Sequence, residues 1–94
     1  MTEGAPERAT VQIVNRQGLH ARPISRFVQI VAKHDATVTV TGPDGTVADG
    51  ASIFSMMTLA AGHGTQLELA AEGPQARQAL DELVKLVAEG FGEL

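Results

Sequence analysis

Apolar residues in this chain recur with a period that switches repeatedly between two and about 3.6, and that switching limits the folds open to it. Ala9, Val11 and Ile13 alternate with Thr10, Gln12 and Val14, the pattern of a half-buried strand. After a loop over Asn15 to Leu19, Ile24, Phe27, Val28 and Val31 recur at i, i+3, i+4 and i+7, which predicts an amphipathic helix from about Ala21 to Lys33. Lys33 and His34 suit its carbonyl end, with His34 on the surface. Ala36, Val38 and Val40 alternate with threonines up to Thr41, and Gly42-Pro43-Asp44-Gly45 reads as a turn into a short strand over Thr46 to Ala48. Ser52 is a good N-cap for a short apolar helix from Ile53 to about Leu59, which Gly62-His63-Gly64 breaks. Leu67, Leu69 and Ala71 form a fourth alternating run. Ala76, Ala79, Leu80, Leu83, Val84 and Val87 then make the longest helical stripe, ending near Gly90.

The element order is therefore βαββαβα. A helical crossover between the first two strands makes them parallel and leaves room for one strand between them. The fourth strand fills that gap antiparallel to both. The expected fold class is α+β: an open-faced β-sandwich, its four-stranded antiparallel sheet in the order 1-4-2-3, with three helices on one face and Thr, Gln and Glu side chains on the other. Residues 1–7 are small, polar and proline-containing, and read as a disordered tail; residues 8–94 form a single domain.

Composition removes several function classes. The chain has no cysteine, so neither a disulfide nor a thiolate is available. A net charge of −4, with only 7 Lys and Arg, argues against nucleic acid as the partner, and the three Phe offer no stacking platform for bases. No run of about 18 apolar residues reads as a membrane insertion, and Met1-Thr2-Glu3-Gly4 lacks the start of a signal peptide. The expected location is the cytoplasm. His20, His34 and His63 have no clustered carboxylates beside them, so no metal site is expected, and nothing points to a cofactor.

The chemistry concentrates in Gly18-Leu19-His20-Ala21-Arg22-Pro23, where a strand-like run gives way to a helix. Ala21 and Pro23 lie at the helix start, where a missing N–H costs nothing and the free N–H groups favour an anion, phosphate above all. An imidazole with an ordinary pKa of about 6.5 is nucleophilic at neutral pH, and an arginine fork beside it matches phosphoryl oxygens. His63 reads as a turn residue. Ser52 lacks the glycine elbow of a hydrolase nucleophile. In the short helix, Met56 and Leu59 share one face that fits the core. Phe54 and Met57 share another, which leaves an exposed apolar pair suited to docking a partner.

GLHARP at His20, Ser52-Ile53-Phe54 opening a short apolar helix, and Gly62-His63-Gly64 together resemble the HPr family, the histidine-containing phosphocarriers of the bacterial phosphoenolpyruvate-dependent phosphotransferase system. The resemblance runs from about Arg8 to Gly90. It implies that His20 is phosphorylated by enzyme I, with Arg22 beside it, and that the protein is a stoichiometric carrier rather than an enzyme. It implies that Ser52 is the target of HPr kinase/phosphorylase in organisms that have it. Ile53, Phe54 and Met57 match the patch that docks enzyme I and EIIA domains, with the carrier itself a monomer. Gln17 and Ser55 depart from the residues frequent in the family. Glu72-Gly73-Pro74-Gln75 and Gly90-Phe91 are similar to its nitrogen-related branch.

Two other readings fit a chain of this kind. One is a regulatory interaction module of nitrogen or carbon control that works by phosphorylation-dependent binding through the short-helix patch. The other is a small-ligand sensor of ferredoxin-like type, since βαββαβ order is shared by many folds.

Overall fold

A computed structural model describes residues 5–93. Strand β1 (Glu7–Gln12) leads through a loop to helix α1 (Ala21–Ala32), then β2 (Thr37–Thr41), β3 (Val47–Asp49), helix α2 (Ile53–Met57), β4 (Gln66–Glu72) and helix α3 (Ala76–Ala88). The strands lie in the order β1-β4-β2-β3, with every neighbouring pair antiparallel. This is the α+β open sandwich that the periodicity predicts.

Pairing register explains why the alternation is so clean. Leu69 stands opposite Ala9 on one side and Val40 on the other, so the three form an apolar row on the inner face. One residue away, Glu68 pairs with Thr10 and Thr41, a polar row on the outer face. A slip of one residue would exchange the two rows, which holds the register. Onto the inner face α1 lays Ile24, Phe27 and Val31, and α3 lays Ala79, Leu80, Leu83 and Val87. Together with Ile13, Val38 and Met56 these form one core. Among the described residues, no helix is long and apolar enough to cross a membrane.

Element ends differ from the sequence expectation where side chains intervene. The tail expected over 1–7 lies outside the described residues at 1–4, and Glu7 is already in β1, paired with Ala71 and bridged by Arg77 at 3.0 Å. Helix α2 stops at Met57, not Leu59. The Thr58 hydroxyl donates to the Ser55 carbonyl at 2.6 Å, and Ala60 takes a left-handed φ of 48°. Leu59 still reaches the core, now from the turn.

His34 is a correction. Its side chain is only 11% exposed, with Nε2 3.0 Å from Glu82 of α3 and Nδ1 2.8 Å from the Ile30 carbonyl. It joins the end of α1 to α3 instead of standing on the surface.

One element has no counterpart in the periodicity: a turn of 3-10 helix at Gly90–Gly92. Phe91 sits there with φ 57° and is 1% exposed. A left-handed conformation costs a non-glycine residue about 1–2 kcal/mol. Burying the ring contributes about 2–3 kcal/mol, so the core contact wins and the turn is pinned. Arg26 of α1 adds a hydrogen bond to the Phe91 carbonyl.

Candidate functional site

His20 is the N-cap residue of α1, in an extended conformation (φ −103°, ψ −167°), and its carbonyl accepts the first helical bond from Ile24 N–H at 3.0 Å. Its side chain does not cap the helix, so the ring is free for other work. Three features hold it there. The Leu19 N–H donates to the Ala61 carbonyl at 2.8 Å, lacing the loop before α1 to the turn before β4. Gly18 makes that approach feasible: its φ is 72°, and a Cβ there would lie 2.7 Å from the Ala61 oxygen. Pro23 is buried in the first turn, where its ring fixes φ without removing a helical bond. Ala21, the first helical residue, is exposed, as is Arg22.

The imidazole is 36% exposed and held on one side only. Nε2 lies 3.1 and 3.2 Å from the two carboxylate oxygens of Glu93. A carboxylate only accepts, so Nε2 carries the proton and donates. Among the described residues Nδ1 has no hydrogen-bond partner, and in this tautomer it presents a lone pair.

Around the ring lies an open cleft of about 650 Å³ lined by Arg16, Gln17, Arg22, Arg26 and Glu93. Three of the chain's 7 Lys and Arg are therefore gathered at one histidine, on a protein whose net charge is −4. Together with the first-turn N–H groups, they make this a place for a multiply charged anion.

Glu93 belongs to the same constellation. Burial alone would raise its carboxyl, but hydrogen bonds from His20 and Asn15, with electrostatic attraction to the His20 ring and the Arg22 guanidinium, outweigh it and hold the pKa below the ordinary value. A carboxyl lowered in this way stabilises its contact above the ordinary carboxylate range, and the contribution is lost as pH falls through the lowered pKa. At neutral pH the contact is fully formed.

Behind it, buried Asn15 donates through Nδ2 to the Gly18 carbonyl at 2.7 Å and to Glu93 Oε1 at 3.0 Å. Two acceptors fix the amide's orientation. Among the described residues Asn15 Oδ1 is buried without a partner, an arrangement that costs about 1–3 kcal/mol.

Glu93, Asn15, Arg16 and Arg26 escaped the sequence reading. Glu93 stands 73 residues from His20 along the chain, and no spacing rule connects them.

Ser52 caps α2, its Oγ accepting from the Ser55 N–H at 3.2 Å. Helix α2 packs against α1 and turns Met56 inward, leaving Ile53 43%, Phe54 84% and Met57 54% exposed. The in–out split of the short helix is thus as its spacing predicts. His63 is exposed in its turn. Among the described residues, no three His, Cys, Asp or Glu side chains converge as a metal site.

The sequence model described as the phosphotransferase-system HPr component phosphorylation site matches residues 7–89. The chain belongs to the HPr family. It is 36% identical over 86 residues to phosphocarrier protein NPr of Klebsiella oxytoca, covering 92% of this chain and 96% of that one. It is 41% identical over 83 residues to phosphocarrier protein HPr of Pseudomonas aeruginosa, covering 88% and 92%. Among solved structures, HPr-C-His of Thermoanaerobacter tengcongensis superposes with a TM-score of 0.88 at 35% identity, over 94% of this chain and 98% of the other. An HPr of Bacillus anthracis gives 0.83 at 34% identity, over 88% and 98%. The HPr fold and the phosphocarrier role of the phosphotransferase system follow for this chain.

Proposed function

We propose that His20 is the phosphoryl carrier: it accepts the group from phosphoenolpyruvate-charged enzyme I and passes it to an EIIA-type acceptor domain. The observation that carries this reading is the half-tethered ring. Glu93 occupies Nε2, and Nδ1 is left with a lone pair at an arginine-lined helix N-terminus. Nδ1 attacks phosphorus as the bond to the donor breaks, and the Nε2 proton stays against Glu93. Arg22 and the first-turn N–H groups take up the phosphoryl oxygens. Transfer of this kind is mainly positioning and charge stabilisation, much of which the partner supplies.

Incubation with phosphoenolpyruvate and enzyme I tests the reading. It should give one acid-labile, base-stable phosphate per chain; a protein that takes no phosphate, or an acid-stable one, contradicts it. Arg22→Ala should slow transfer in both directions by about 10- to 100-fold, the worth of a charge-assisted hydrogen bond, while the far-ultraviolet circular dichroism stays unchanged. Stopped-flow transfer rates check this, and unchanged rates remove Arg22 from the mechanism.

The exposure of Phe54 and Met57 supports docking through α2, in the carrier and in the regulatory-module reading alike. Phe54→Ala should weaken enzyme I binding by about tenfold or more, as loss of an exposed aromatic anchor does, with no change in the unfolding midpoint. Calorimetric titration measures it. Phosphorylation of Ser52 would place about −1.5 to −2 charges beside Ile53 and Phe54, so its expected effect is on docking and not on the fold.

A further inference from the structure

We propose that Glu93, held by Asn15, is a positioning residue for phosphoryl transfer, setting the tautomer and angle of the His20 ring from the opposite end of the chain. This rests on His20 being the carrier. Glu93 lies beyond the 7–89 stretch that the family's sequence model matches.

Two observations point to the same carboxylate. The first is its geometry: both oxygens meet Nε2 at 3.1–3.2 Å, and Oε1 also accepts from Asn15. The second is that buried Asn15 directs its amide nitrogen at Glu93 and Gly18 while its Oδ1 finds no partner among the described residues. If the turn at Gly90–Gly92 served only to close the core, burial of Phe91 would suffice, because Glu93 lies past it and adds nothing apolar. Arg26 on the Phe91 carbonyl instead holds the turn where Glu93, the next residue but one, reaches the ring.

The chemistry follows from charge. As Nδ1 bonds to phosphorus, positive charge develops on the imidazole, and a carboxylate on Nε2–H stabilises it. A histidine held by a carboxylate on one nitrogen while the other reacts is the arrangement that orients bases in hydrolytic triads. Phosphate donation passes through the same transition state in reverse, so Glu93 serves both directions.

Glu93→Ala and Glu93→Gln test the proposal in the full chain. Glu93→Ala should lower kcat for phosphorylation by enzyme I by about tenfold, the lower end for a partly exposed charged hydrogen bond, with KM unchanged. Glu93→Gln keeps an acceptor for Nε2–H but no charge, and should fall between Glu93→Ala and the parent. In nitrogen-15 spectra, the His20 ring should show protonated Nε2 and bare Nδ1 in the parent and in Glu93→Gln, and a tautomer mixture in Glu93→Ala. Parent-like kcat in Glu93→Ala overturns the proposal, as does a loss confined to KM. So do unchanged ring signals in Glu93→Ala. The spectra need no phosphate donor, so they judge Glu93 even if the parent protein takes no phosphate, a result that would instead remove the carrier reading.

Discussion

Gly18→Ala is expected to lower the unfolding free energy by about 3 kcal/mol, combining left-handed strain with overpacking against backbone. The glycine has φ 72°, and an added Cβ would sit 2.7 Å from the Ala61 oxygen and 2.8 Å from the Gly62 Cα. Neither neighbour is a flexible side-chain tip, so the loop itself must move. For a domain of this size the unfolding midpoint should fall by on the order of 15 °C, read by thermal denaturation. Because Leu19 N–H is tied to the same Ala61 oxygen, the shift also carries His20 away from Glu93, and phosphoryl transfer should fall with stability. A midpoint within about 3 °C of the parent would contradict this account of the loop.

His20→Ala is expected to abolish phosphate acceptance while leaving the protein folded. The helix does not depend on the ring: the first α1 bond uses the His20 carbonyl, and no side-chain cap is lost. The contact that disappears is the pair with Glu93, whose histidine partner is 36% exposed and screened by solvent, so the stability change should be small. A labelling assay with enzyme I and phosphoenolpyruvate, run beside a denaturant melt, measures both. Residual labelling at the parent level would show that another residue carries the phosphate.

The fold was legible because one face of every strand is buried and the other is wet, so alternation marks both the element and its register. Leu67, Leu69 and Ala71 against Gln66 and Glu68 is the plainest case. The Ser52 cap and the split of α2 into buried Met56 and exposed Phe54 and Met57 were legible too, being consequences of helical spacing alone. What depends on distant packing was not. His34 looks like a surface residue until Glu82 of α3 closes on it. The end of α2 is decided by a Thr58 hydroxyl that bonds back to Ser55, a choice a propensity pattern does not contain. Half of the candidate site lay in the local motif at Gly18 to Pro23. The other half, Glu93 with Asn15 and Arg26, is assembled by a turn whose single buried Phe between glycines has no period to read.

On the proposed reading the phosphoryl group is bonded to Nδ1 of His20 while Nε2 stays protonated on Glu93. Phosphorus-31 and nitrogen-15 spectroscopy of the uniformly labelled phosphoprotein tests it directly. The predicted result is one phosphorus coupled to Nδ1 of His20. Coupling to Nε2, or a phosphorus on any other side chain, would contradict it.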